Sequence, residues 1–276
     1  MKVLRSVVCL VVVAAALAVS GADAAAQAQV QGLVEKLASS SADERKEARE
    51  GLLALGAAAV PTLILATESD DATVRWEAVN LLGVLDDLRA TDAVLRVAMT
   101  DPDVHARWRA NWAITVLDDG TVVPCLIAAL WGEDTTVAWN AAVTLSLFGI
   151  LEAVPLLHEG LKVDGWQQWE AVNALGRVWN DETAPKLIVV LQGGSEDVRK
   201  EAALSLGRIG GDEAIAALFE ALAHDTSPEV RWRAAMMIGR IGDIVAISLL
   251  EDILKVETHP LVIGYIVGAI EALVPP

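Results

Sequence analysis

The sequence is poor in the residues that build most catalytic and metal sites. Its 276 residues include two cysteines and four histidines. Cys9 lies inside an N-terminal apolar run, and Cys125 lies inside Val122-Val123-Pro124-Cys125-Leu126-Ile127. Without the N-terminal run one cysteine remains, and no intramolecular disulfide can form. Cys125 reads as a small buried hydrophobe, because no His–Asp arrangement marks it as a nucleophile. His105, His158, His224 and His259 are widely separated, so no zinc site and no other cofactor is implied. A nucleophile elbow and a phosphate-binding glycine loop are also missing; Gly193-Gly194 and Gly210-Gly211 read as turns. Basic residues are scarce: 21 lysines and arginines face 38 acids, for a formal charge of −17. That field repels nucleic acid and anionic membrane surfaces.

The first residues differ from the rest. Lys2 and Arg5 precede an apolar run from Val7 to Val19, and small residues follow through Ala28. Residues 1–28 therefore read as a secretory signal peptide, with cleavage fitting after Ala24, Ala26 or Ala28. The run is short of the ~20 residues that span a bilayer, so no stable membrane span is expected after cleavage. Export to the periplasm or the medium is the expectation. An uncleaved segment tethering the chain to the inner membrane is the alternative. Cys9 is within the run, not after it, and does not suit lipid attachment.

What the chain does have is a unit repeated every 30 to 32 residues. It is plainest in Val74-Arg75-Trp76-Glu77-Ala78-Val79-Asn80-Leu81-Leu82-Gly83. It recurs around Gln168-Trp169-Glu170-Ala171, Val198-Arg199-Lys200-Glu201 and Val230-Arg231-Trp232-Arg233. Aligned on the arginine, the register runs Arg45, Arg75, Arg107, Ala138, Gln168, Arg199, Arg231 and Ile263. A period of this length means stacked helix pairs. The expectation is all-α: a right-handed α–α superhelix of about seven to eight helix pairs. Residues 29–43 would be an N-terminal lead-in and residues 44–276 the solenoid.

The punctuation supports this division. Pro102 and Pro228 stand where the first turn of the second helix (helix B) begins, and a missing amide donor costs little there. Acidic pairs such as Asp70-Asp71, Asp118-Asp119 and Glu133-Asp134 read as helix caps and solvated turns, with calcium the less favoured reading. Gly83, Gly176, Gly207 and Gly239 close helix B and allow close helix approach. Val74, Ala78 and Leu82 share one helical face and should point into the stack. Arg75, Arg107, Arg199 and Arg231 read as a structural ladder, with aliphatic stems over apolar surface and guanidinium groups on acidic turns.

This pattern resembles HEAT repeats, especially the short HEAT-like repeats first associated with phycobilisome lyases. The resemblance covers about residues 42–271 and rests on Val74-Arg75-Trp76, Val198-Arg199-Lys200, Val230-Arg231-Trp232 and their following alanines and glycines. It implies a scaffold, not an activity. HEAT-like deoxyhypusine hydroxylases use paired His-Glu motifs for two irons, whereas here only His158-Glu159 forms that dipeptide. HEAT-like DNA glycosylases need a basic channel, which the acidity argues against.

A candidate working face comes from the residue after the arginine register. Trp76, Trp108, Trp139, Trp169 and Trp232 occupy it, and Asn80, Trp112, Val143, Asn173 and Met236 follow four residues later. Such pairs share a helical face. Two readings stand: packing against the next repeat, or an interface in which Trp76, Asn80, Trp108, Trp112, Trp139, Trp169, Asn173 and Trp232 hold a partner. The functional expectation is a non-enzymatic protein-binding or assembly scaffold in the bacterial envelope, mainly monomeric or weakly associating, with no nucleic-acid partner. The alternative is a HEAT-like accessory enzyme or lyase-type protein acting on a protein-bound ligand, or a ligand-binding solenoid.

Overall fold

A computed structural model describes residues 21–178, 180, 182–242 and 245–274, with side chains from residue 26. The apolar run of the expected signal peptide lies outside these residues. Among the described residues there are sixteen α-helices and no strands. They form eight consecutive pairs. The first helices of the pairs are α1 (Gly21–Lys36), α3 (Val60–Ala66), α5 (Thr91–Thr100), α7 (Val122–Leu130), α9 (Val154–Gly160), α11 (Thr183–Gly193), α13 (Asp212–His224) and α15 (Ala246–Leu254). The second helices are α2 (Ala42–Leu55), α4 (Ala72–Leu85), α6 (Val104–Val116), α8 (Thr135–Leu147), α10 (Trp166–Leu175), α12 (Glu196–Ile209), α14 (Pro228–Ile241) and α16 (Pro260–Leu273). The chain is an α-solenoid.

The lead-in belongs to this stack. Val30 and Val34 of α1 and the following Leu37 are buried against the core, so α1 is the first helix of the first pair. Its alanine- and glutamine-rich sequence carries no arginine, proline or terminal turn glycine to announce a repeat.

Local chemistry sets where the second helices begin. The side chains of Ser41, Asp71, Asp103, Asp134 and Ser227 accept hydrogen bonds from the first free amides of α2, α4, α6, α8 and α14. These are amides that a helix cannot satisfy internally. The acidic turns are thus used from within. Asp118 and Asp119 accept from the Gly120 and Thr121 amides, and Asp87 accepts from that of Arg89. Prolines open α14 and α16, where no donor is needed.

One apolar core runs the length of the solenoid between the two helix layers. Val74, Ala78 and Leu82 all point into it. The second helices pack closely on one another at α4–α6, α10–α12, α12–α14 and α14–α16, whereas the first helices touch their like neighbours less. The layer with the closer spacing is the inner side of the curve. Glycine permits that spacing. A methyl group on Gly83 would stand 2.7 Å from Ala113 Cβ, and one on Gly239 would stand 2.8 Å from Ala269 Cα.

The regular stacking lapses between α6 and α8, which barely meet. Here α8 packs on α5 instead, and Asn140 donates from Nδ2 to the Met99 carbonyl at 2.8 Å. Ala138 stands at the arginine register of this helix.

Candidate functional site

The arginine register ties each repeat to the turns on either side. Arg75 donates from Nη1 to the Ser69 carbonyl at 2.9 Å, and from Nε and Nη2 to both oxygens of Asp101 at 2.7 and 2.9 Å. Arg199 makes the same fork to Asp225, and Arg231 to Glu257. Each also holds a carbonyl of the preceding turn. Arg107 reaches the carbonyls of Asp101 and Pro102, and among the described residues it has no carboxylate partner. Gln168 replaces the arginine with a shorter donor and still reaches the Leu161 carbonyl at 2.9 Å.

These forks favour the charged forms of their members. The Asp101 carboxylate raises the Arg75 pKa, and Asp225 raises that of Arg199. Hydrogen bonding from Arg231, aided by the His259 and Thr258 amides, holds Glu257 down to about 2.

The tryptophan register divides into three environments. Trp76, Trp169 and Trp232 are half-buried. The Arg109 guanidinium lies over Trp76, 5.5 Å from the ring centroid, and that of Arg233 lies 4.2 Å from Trp232. Trp232 also stacks on Tyr265 at 4.6 Å and donates to Glu229 at 3.0 Å. Trp108 and Trp112 are open to solvent, at 51% and 48% exposure. Trp139 is different: it is buried, its ring fills the space beside Gly160, and its Nε1 donates to Glu170 Oε2 at 2.8 Å. It is therefore removed from any contact surface, because α8 is turned toward α5 and its indole faces inward. The amides differ too. Asn173 donates to Glu201 at 2.7 Å and accepts from Arg177, so its polar atoms are occupied. Asn80 is half-buried and has no hydrogen-bonded side-chain partner among the described residues.

Two exposed rings are joined across α8 through the half-buried Trp169. Trp108 of α6 and Trp169 of α10 have centroids 6.1 Å apart, and Trp169 stacks on Trp166 at 4.8 Å. Trp166, at 51% exposure, belongs to this surface although it lies outside the tryptophan register. A cleft of about 450 Å³ adjoins it, walled by Trp166, Trp169, Val198 and Leu204 and rimmed by Lys200 and Arg233. Lys200 pairs with Asp197 at 2.5 Å, and Arg233 with Glu229 at 2.7 Å.

A row of buried carboxylates escaped the sequence reading. Two residues after the arginine register stand Glu77, Glu170 and Glu201, all buried. Each takes a donor from the previous second helix: Arg49 at 2.6 Å, Trp139 at 2.8 Å and Asn173 at 2.7 Å. The signal was the glutamate in Arg75-Trp76-Glu77 and its counterparts. Its meaning appears only when neighbouring helices are placed.

The His158-Glu159 dipeptide does not converge with other ligands. His158 is buried beside Thr183 Oγ1 at 3.2 Å, with its pKa lowered by burial, and Glu159 pairs with Lys162. No group of three or more metal-ligating side chains occurs among the described residues. No described helix is long and apolar enough to cross a membrane.

Comparison with known proteins agrees with this architecture. A family model described as HEAT repeats matches residues 163–226 and 184–271. No curated protein matches the sequence significantly. The crystal structure of the Escherichia coli protein YibA is similar, with 19% identity and a TM-score of 0.52 over 92% of this chain and 97% of that one. At that identity the likeness is one of fold. Looser similarities are to human deoxyhypusine hydroxylase in complex with glycerol (21% identity, TM-score 0.39, 91% of this chain and 98% of that one). The complex of CpcE and CpcF of phycocyanin lyase from Nostoc sp. is another, at 20% identity and TM-score 0.48 over 78% and 94%.

Proposed function

We propose that this HEAT-like repeat protein is a non-enzymatic scaffold that holds a partner protein on the inner face of its solenoid. We place that task in the bacterial envelope, on the strength of the Lys2–Ala28 leader pattern. The observation that carries the binding role is the exposed aromatic surface of Trp108, Trp112 and Trp166. Each of these side chains keeps about half of its surface open for burial at little entropic cost, and such rings anchor protein interfaces. Internal packing has buried Trp139, yet it leaves these three about half exposed.

The remaining features of the second helices have structural tasks. The arginine forks and the buried carboxylates join neighbouring repeats. Glu271 stands at the register where Gly83, Gly176, Gly207 and Gly239 admit the next helix. A charged, exposed residue there discourages stacking of another copy and suits a monomeric or weakly associating protein.

A second reading, a ligand-binding solenoid, draws on the cleft beside Trp166 and Trp169. One experiment separates the two. Chemical crosslinking in cells, followed by mass spectrometry, compares the full chain with the Trp108→Ala/Trp166→Ala variant. A protein adduct lost in a folded, exported variant is the expected result. Equal adducts from both forms would move the interface off this surface, and none from either would favour the small-ligand reading.

A further inference from the structure

The inner face has a second register that the aromatic surface does not use. Nine residues after the arginine register stand Val84, Val116, Leu147, Arg177, Arg208 and Arg240. Positions one, five and nine of this count lie along one side of a helix, opposite the buried Val74, Ala78 and Leu82. Val84 and Val116 are open to solvent at 52% and 40%, and the three arginines are exposed as well. At this register the residues are thus apolar along α4–α8 and cationic along α10–α14. This cationic row stands out on a chain of net charge −17.

The arginines are not held in the way the ladder arginines are. Arg177 donates to the carbonyl of Asn173 at 2.8 Å and to its side chain, and it has no carboxylate partner among the described residues. Arg208 shares Glu201, 3.1 Å away. Arg240 has neither an ion pair nor a hydrogen bond among the described residues, and it borders a groove with Met236 and Tyr265. Surrounding protein first, and the charge of Arg208 second, lower the Arg177 pKa. A cation near a helix C-terminus offsets the helix dipole. That local benefit applies to Arg208 and Arg240 in the last turns of α12 and α14, whereas Arg177 stands two residues past the end of α10, and all three still line up along the inner face.

We infer that Arg177, Arg208 and Arg240 receive an extended acidic segment of the partner protein. This rests on the protein-binding reading above and specifies the partner's chemistry. Packed helices are about 8–10 Å apart. A polyproline II chain advances about 3.1 Å per residue with three residues per turn, so every third side chain faces the same way. Successive arginines therefore match carboxylates three residues apart. The apolar register at Val84 and Val116 and the rings at Trp108 and Trp112 meet an apolar stretch at the other end of the same segment. Nucleic acid is the competing polyanion; the acidic field of the chain opposes its continuous charge more than that of a segment whose carboxylates are spaced and joined to an apolar stretch.

The test is titration of the purified chain with labelled twelve-residue peptides, read by fluorescence anisotropy at low salt. One peptide carries Glu at every third position, one carries Gln there, and one has the same glutamates in a single block. A single-stranded oligonucleotide is the fourth probe. The spaced-Glu peptide is expected to bind tightest. Arg240→Gln should weaken it about three- to fivefold, the scale of an exposed ion pair. The Arg177→Gln/Arg208→Gln/Arg240→Gln variant should lose binding while keeping its helical circular dichroism and melting transition. Binding that survives in the triple variant, equal binding of the Gln peptide, no binding, or preference for the oligonucleotide would each overturn the inference. If Arg177→Gln or Arg208→Gln unfolds the chain, Arg240→Glu alone carries the test, because Arg240 makes no ion pair or hydrogen bond among the described residues. The crosslinking experiment reports on the scaffold reading separately: a protein adduct kept by the triple variant but lost with the tryptophans would sink only the arginine row.

Discussion

The Trp139 indole N–H donates a hydrogen bond to Glu170 across the α8–α10 boundary, 2.8 Å away, with both residues buried. The same register holds a solvent-exposed ring one repeat earlier, at Trp108. Trp139→Phe removes the donor and leaves a buried carboxylate oxygen without it, which costs about 1–3 kcal/mol. Trp108→Phe should change stability by less than about 0.5 kcal/mol, as surface changes do. Thermal unfolding of the two variants checks the contrast, and equal shifts would contradict it.

Glycines on the second helices should separate by register. A methyl group at Gly239 meets the Ala269 backbone, so Gly239→Ala must push α14 and α16 apart, at about 1–3 kcal/mol. A methyl group at Gly268 meets nothing within 4 Å. Gly268→Ala should stabilise the chain by about 0.5–1 kcal/mol through helix propensity. Melting temperatures moving in opposite directions are the expected outcome.

The ladder is a geometric device as well as a charged one. Arg75 is largely covered and its partner Asp101 more so, so removing the arginine strands a buried carboxylate. Arg75→Ala should cost about 3 kcal/mol or more. Arg75→Lys keeps the charge but loses the two-pronged fork and should recover only part of the loss. Full recovery in Arg75→Lys would show that charge alone matters.

Acid should loosen the C-terminal end through Glu257. Its pKa falls from an ordinary 4.5 to about 2 in the folded chain. A depressed folded value adds stability above pH 4.5 that is lost as the pH falls from there toward 2. The amount is on the order of 3 kcal/mol. Glu257→Gln should be less stable near neutrality and should lose less between those limits. Unfolding followed at stepped pH tests this, and parallel curves for the two forms would contradict it.

Much of the fold was legible because a solenoid repeats its instructions. The spacing of the arginine register, the terminal glycines and the capping Asp and Ser residues all carry local meaning that survives without a neighbour. Helix α1 was not legible: Gly21–Lys36 lacks the arginine and the turn glycine, and its assignment to the stack depends on Val30, Val34 and Leu37 meeting α2 and beyond. The working face was legible as a register and not as a surface. Whether Trp139 or Trp108 sees water is decided by the setting of α8 against α5, through Asn140 and the Met99 carbonyl. Asn140 sits in Trp139's own helix, but its acceptor lies 41 residues away in sequence and gives no local signal. The buried glutamates escaped notice for a similar reason, since Glu201 looks like any helix-surface acid until Asn173 and Arg208 close on it.

The most direct measurement is site-specific photocrosslinking of the full chain in its own cells. A photoreactive amino acid is placed either at Trp112, on the inner face, or at Val189, exposed at 67% on α11 of the outer layer. An adduct with one protein from position 112 and none from position 189 is the predicted result. Adducts from position 189 alone would contradict an inner-face interface, and the exposed tryptophans would then need another explanation.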